Sequence, residues 1–253
     1  MDKSGPQVRS PVRRREVLAR LTRGVAAAGA LWPAAPLRLL RAARAQPSYV
    51  PLKRALLTDP DGNPFQLSQL RPHEPWVFNY PYVSTPNLLL DLGMAADPVE
   101  VQLPGGMVYR WPGGIGPNRS VVAFTSICPH AYSYLRRDVG MIGYRPPEGA
   151  RGPRIVCCVH LSVFDAAAGG AVRSGPAPRA LAAVALEHEE ATGRTYAAGF
   201  LGNPQFDEFF KAQAQALRET FRSIARARAE VGQAVVVPYS EYTSRAVDCP
   251  ATA

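Results

Sequence analysis

The chain has 253 residues, 29 of them Lys or Arg and 20 Asp or Glu, for a formal net charge of +9. Ten of the basic residues (Lys3, Arg9, Arg13, Arg14, Arg15, Arg20, Arg23, Arg38, Arg41 and Arg44) lie within residues 1–45 beside only Asp2 and Glu16, so the remainder is within one charge of neutrality. A near-neutral body lacks the dense cation stripe that phosphate neutralisation requires, which excludes nucleic acid as a partner. With 47% hydrophobic and 19% charged residues the bulk is too apolar for disorder, and 21 Gly with 25 Pro favour a loop-rich β fold over a helical bundle.

Residues 1–45 read as an address. Arg13-Arg14-Arg15-Glu16-Val17-Leu18 sets consecutive arginines ahead of an uncharged stretch at 24–37, an order that resembles a twin-arginine export signal. The stretch is broken by Pro33 and Pro36 and followed by Arg38, so it falls short of the roughly 20 apolar residues of a membrane span. Ala43-Arg44-Ala45 has the small-residue pattern of a cleavage site, predicting a mature chain from Gln46. The competing reading is an uncleaved basic amphipathic helix associated with the inner membrane; the basic residues precede the apolar run instead of interleaving with it, which favours export to the periplasm. The twin-arginine machinery moves folded proteins, so the signal also implies a cofactor inserted before export.

Further along, apolar or alternating runs at 76–80, 88–92, 99–103, 107–111, 121–125, 154–157, 182–187 and 195–198 are bounded by Gly, Pro or Asn, predicting short strands of an antiparallel β domain over 50–202. After Asn203-Pro204, the residues Phe206, Phe209, Phe210, Leu217, Phe221 and Ile224 recur at helical spacing, predicting one amphipathic helix over 204–231 packed on the β domain. Residues 203–253 thus form a C-terminal helix followed by an extended tail. The fold class is mainly β.

The chemistry lies in two short clusters, Cys128-Pro129-His130 and Cys157-Cys158-Val159-His160, which hold three of the four cysteines and two of the four histidines. His73 and His188 stand apart in polar contexts and read as surface or internally satisfied histidines. Two Cys and two His could hold a structural zinc in a non-redox binding module, but zinc fingers usually draw cysteines from one half and histidines from the other. Each cluster here offers one thiol and one imidazole, which also suits a binuclear centre with thiolates on one iron and imidazoles on the other.

C-x-H followed by C-x-x-H resembles the Rieske [2Fe-2S] family. The resemblance implies that Cys128 and Cys157 bind the inner iron, and His130 and His160 the outer iron, of a Rieske-type [2Fe-2S] cluster in a cluster-binding subdomain of the β domain. Ser162 matches a serine that hydrogen-bonds a cluster sulfur. Phe164 stands where high-potential members have a tyrosine donor, so the resemblance implies an intermediate potential within the roughly −150 to +300 mV band. Gly175-Pro176-Ala177-Pro178 is similar to the proline loop that shields the cluster. Quinol-oxidising members add one cysteine per loop to form a disulfide clamp; Ser133 and Val159 occupy those positions. Cys158 reads as a small buried thiol, with a bond to Cys249 as the less favoured alternative.

A single such cluster moves one electron at a time and brings no substrate site, so the family implies an electron-transfer subunit with no catalytic residues of its own. Phe78-Asn79-Tyr80-Pro81, Leu88-Leu89-Leu90-Asp91-Leu92-Gly93 and His160-Leu161-Ser162-Val163-Phe164-Asp165 together look like the small subunit of arsenite-oxidase-type molybdenum enzymes. That likeness implies a catalytic molybdopterin subunit as donor and a c-type cytochrome or other soluble carrier as acceptor. The alternative within the family, a subunit of a quinol:cytochrome c reductase, fits less well without the clamp cysteines.

Overall fold

The computed structural model describes residues 49–249; the segment expected to be an export signal and its expected cleavage site fall outside them. In chain order the strands are β1 (Tyr49–Thr58), β2 (Trp76–Asn79), β3 (Pro86–Asp91), β4 (Val99–Gln102), β5 (Val108–Trp111), β6 (Val121–Thr125), β7 (Ile142–Arg145), β8 (Arg154–Cys157), β9 (Ser162–Asp165), β10 (Ala171–Ser174), β11 (Ala183–Glu189), β12 (Arg194–Leu201), β13 (Gln233–Val235) and β14 (Val237–Pro238). Helices α1 (Phe206–Ala212), α2 (Ala214–Phe221) and α3 (Ile224–Ala227) lie between β12 and β13, and α4 (Tyr239–Tyr242) follows β14. Among the described residues no helix is long and apolar enough to cross a membrane.

Eight strands form one sheet in the order β13-β1-β12-β11-β6-β3-β2-β14. Its two edge strands are consecutive in the chain and separated only by Val236, so the tail draws the two ends of the sheet toward each other. The four-stranded sheet β10-β9-β8-β7 carries the second sequence cluster in its β8–β9 turn, the first cluster lies in the connection from β6 to β7, and β4-β5 is a separate hairpin.

Period-two alternation assigns the large sheet's two faces. Val77, Leu88, Leu90, Val122, Phe124 and Ala183 point to a core shared with Ile142, Ile155, Phe164 and Leu181 of the cluster region. Phe78, Leu89, Val121, Ala123, Ala182 and Val184 point to the opposite core with Leu57, Phe65, Tyr80 and Phe200. Burial on both faces is why β3 and β6 read as nearly continuous apolar runs.

Two expectations change. The predicted single helix over 204–231 is three short ones. Arg222 takes a left-handed conformation (φ 68°), and the extended Ser223 caps α3 by accepting the Arg226 N–H. Neither residue is Gly or Pro, so periodicity does not register the break. The apolar spacing still serves one face: Phe209, Phe210, Leu217 and Ala227 are buried with Ile127 and Tyr134. Cys158, expected as a free thiol, is bonded to Cys249, with Cα atoms 5.3 Å apart and a separation of 91 positions in sequence. The tail returns along β7 and brings the two sulfurs together, a proximity that spacing along the chain does not encode.

Candidate metal centre

Two finger-like loops meet at one end of the four-stranded sheet. The first, between β6 and β7, is closed at its base by the Ile127–Tyr134 bridge and by the Leu135 N–H donating to Ser126 O (3.0 Å). Within it, Cys128 N–H donates to Ser133 O (2.8 Å) and Tyr132 N–H to Cys128 O (2.9 Å). The second loop is the β8–β9 turn, in which Cys157 pairs with Ser162 across residues 158–161. Its Cys158 N–H donates to Met141 O (2.7 Å). Each loop holds a non-glycine residue in left-handed backbone, Tyr132 (φ 55°) and Leu161 (φ 58°). Such conformations are costly and persist where surrounding contacts over-determine them, commonly at functional sites.

The four donors sort into two pairs, each drawing one member from each loop. Cys128 and Cys157 are unbonded and buried within the core. His130 and His160 are exposed, with rings nearly perpendicular (89°) and Nδ1 atoms 3.3 Å apart. Cys157 donates to Cys128, which is the largest cause lowering the Cys128 thiol against the opposing effect of burial; the His130 and Ala131 N–H groups add to it. Cys157, as the donor beside a thiolate, is raised. Thiolate character is what a metal ligand needs.

This arrangement distinguishes one metal from two. A tetrahedral zinc would require all four donors to converge, yet among the described residues no three His, Cys, Asp or Glu side chains gather around a point. The imidazole pair alone has the right spacing for a single ion: metal–nitrogen distances of about 2.0–2.1 Å at a tetrahedral centre place the nitrogens about 3.3–3.4 Å apart. A buried thiol pair behind an exposed imidazole pair fits a binuclear centre with one metal per pair.

The surroundings fit a sulfide-bearing group. The Ser162 hydroxyl is fully buried and makes no well-formed hydrogen bond among the described residues. A buried hydroxyl without a partner costs free energy, so its place beside Cys128 suits an acceptor belonging to a bound group. Phe164 is fully buried, pairs with Ile155 and Val172, and offers no polar atom. The 175–178 loop lies against the second finger: a Cβ on Gly175 would stand 2.5 Å from Leu161 O and 2.6 Å from the Ser162 Cα. Ala177 joins the core that contains both thiols, while Pro176 and Pro178 face outward. Val159 and Leu161 form an exposed apolar rim beside His160. His73 and His188 stand apart with their own partners, Tyr144 (3.1 Å) and Thr195 (2.9 Å).

Sequence reading missed the supports behind the fingers. The helices reach the first through Ile127, Tyr132 and Tyr134. The tail reaches the second through Cys249 and the segment leading to β7. Their only sequence signal is an aromatic-rich segment and a distant cysteine.

These features fit a binuclear metal centre held by mixed thiol and imidazole side chains. Residues 91–185 match the Rieske [2Fe-2S] domain, so the chain carries a Rieske domain and its cofactor is a Rieske-type [2Fe-2S] cluster. The chain is 35% identical over 136 residues to the iodate reductase subunit IdrB of Pseudomonas sp. (strain SCT), covering 54% of this chain and 58% of that protein. It is 34% identical over 122 residues to the subunit of the same name from Denitromonas iodatirespirans, covering 48% and 54%. The chain thus spans little more than half the length of these relatives. The soluble domain of Rieske protein II (soxF) from Sulfolobus acidocaldarius is 31% identical, with 50% of this chain and 68% of that one covered and a TM-score of 0.39.

Proposed function

We propose that this protein is the electron-transfer subunit of an exported oxidoreductase, with Cys128 and Cys157 holding the inner iron and His130 and His160 the outer iron. The observation that carries this reading is the segregation of the donors into a buried thiol pair and an exposed imidazole pair. Once bound, the cluster accepts and releases one electron at a time, at a potential raised by imidazole ligation. The protein's own residues do the rest. Ser162 donates its otherwise unpartnered hydroxyl toward the inner sulfurs and so favours the electron-rich state. Gly175 and Ala177 keep water from the thiolate side, and the Val159–Leu161 rim leaves the two imidazoles as the point of contact.

The donor is a catalytic subunit, of molybdopterin type, and the acceptor a c-type cytochrome or other soluble carrier in the periplasm. The relation to reductase subunits supports a catalytic partner, and the Cys158–Cys249 disulfide supports an oxidising compartment. The arginine run at 13–15 supports delivery by the twin-arginine machinery. The test is purification from the periplasmic fraction, with visible and EPR spectra, iron and acid-labile sulfide analysis, and identification of co-purifying chains. Two irons and two sulfides per chain with a co-purifying molybdopterin protein are expected. Zinc in a colourless, EPR-silent protein, or a co-purifying cytochrome b, would overturn the reading.

A further inference from the structure

We propose that residues 239–249, fastened by the Cys158–Cys249 disulfide, are a strap that positions the second cluster finger from outside, in place of the cross-finger clamp that Ser133 and Val159 cannot form. Cys158 lies between Cys157 and His160, so a covalent tie at its sulfur restrains the backbone between them. The tie leads to a segment that is itself held along its length. Tyr239 donates its hydroxyl to Ile142 O (2.8 Å) and Tyr242 donates to Asn79 Oδ1 (3.0 Å). Ser244 N–H donates to Arg137 O (2.8 Å), Gly140 N–H to Arg245 O (2.8 Å), and Val247 N–H to Gly140 O (3.0 Å). Arg145 pairs with Asp248 at 2.6 Å.

The residues gripped by the strap, 137–145, link the first finger to β7, and the same stretch accepts the Cys158 N–H at Met141 O. One end of the strap is therefore fixed to the segment between the fingers and the other to the second finger itself. Gly140 is part of the device: any Cβ there would collide with the Tyr239 hydroxyl. Cys249 is buried beside Val156 and Val163 of the strands flanking the finger, so the bond is packed into the cluster sheet and does not merely pin a loose chain end. The inference rests on reading Cys157 and His160 as ligands, and the finger's mobility can be measured without that assumption.

The test compares the full chain with its Cys158→Ser/Cys249→Ser and Tyr239→Phe variants by hydrogen exchange, both loaded with the cluster and after its removal. In the double variant, exchange at amides 158–162 is expected to quicken by about tenfold or more, because opening the finger no longer requires opening the strap. β3 and β6 should be unchanged. Iron transfer to a chelator should accelerate in parallel, and the EPR signal should broaden. Tyr239→Phe, which keeps the disulfide, should show the same pattern more weakly and carries the test if the double variant does not fold. Faster exchange confined to residues 244–249, with the finger unchanged, would show that the bond holds only the tail and would overturn the proposal. The ligand reading is judged separately by His160→Ala: an unaltered EPR spectrum in that variant would sink it while leaving the exchange result intact.

Discussion

Gly175 lies so close to Leu161 that the 175–178 loop and the second finger touch backbone to backbone, with φ 87° at the glycine. Substitution meets two obstacles at once, a left-handed conformation that an L side chain resists and a Cβ 2.5 Å from a carbonyl oxygen held by the finger. Gly175→Ala is expected to destabilise the fold by about 1–3 kcal/mol and to displace the loop. Denaturant melts of the loaded protein should show the loss, and release of iron to a chelator should be faster than in the parent. Unchanged iron release would mean that the loop does not shield the centre.

Ser162 and Phe164 make opposite predictions for the midpoint potential. Removing a hydroxyl that stabilises the reduced state forfeits a hydrogen bond of about 1 kcal/mol, equivalent to about 40 mV for a one-electron couple. Ser162→Ala should therefore lower the midpoint by about that amount. Phe164→Tyr adds a hydroxyl in the buried shell around Cys128 and Cys157 and should raise it similarly. Protein-film voltammetry checks both, and an unmoved midpoint in either variant refutes the tuning role given to that residue.

What the sequence revealed follows from how local each signal is. The grouping of Cys128 with His130 and of Cys157 with His160 is legible because spacing within a finger is set by a few bonds. Strands such as β3 and β6 are legible because burial on both faces demands unbroken apolar runs. β1 is obscured by Lys53 and Arg54 and by a register shift between Pro51 and Ala55. β13 and β14 are three and two residues long, and their existence depends on the partners they meet at opposite edges of the sheet. The break at Arg222 and the bond from Cys158 to Cys249 depend on tertiary contacts alone, so periodicity and composition are blind to them.

The helical segment is expected to matter to the centre through Phe209, which is fully buried and packs edge-on against Tyr134 of the first finger (5.1 Å between ring centres). Phe209→Ala should cost about 3–5 kcal/mol, the usual price of deleting a buried aromatic ring. If the helices brace the finger, the loss should be accompanied by faster hydrogen exchange at residues 127–134. A destabilisation that leaves those amides unchanged would confine the helices to a general packing role.

Alkaline stability has a defined sign. Burial pushes the phenols of Tyr109, Tyr144, Tyr239 and Tyr242 up to about 12, and that of Tyr80 higher still. An unfolded chain ionises its tyrosines near pH 10, so the folded state holds more protons above that value. The stability these groups confer is complete below pH 10 and is lost as the pH climbs through 12, by up to about 1.4 kcal/mol per pH unit for each phenol. Tyr109 is the clearest probe, because its buried hydroxyl has no partner among the described residues. Tyr109→Phe should be nearly neutral at pH 8 and should reduce the slope of unfolding free energy against pH between 10 and 12. An unchanged slope would remove Tyr109 from the set.

The proposed export and the disulfide make a joint prediction, because the redox state of the second cysteine pair depends on the compartment. The chain has four cysteines, two of them unbonded in the core and two joined as Cys158–Cys249. A reducing cytoplasm keeps the second pair as thiols, whereas an oxidising periplasm preserves the bond. Replacing the arginines at 13, 14 and 15 together with Lys removes the feature that resembles the export signal and should leave the protein in the cytoplasm. Alkylation after denaturation and removal of iron should then modify all four cysteines, against only Cys128 and Cys157 in protein from the periplasm. Both forms should carry the cluster, since insertion precedes export on this reading. A bonded pair in the retained protein would disconnect the disulfide from export, and periplasmic delivery of the lysine variant would show that these arginines are not the signal.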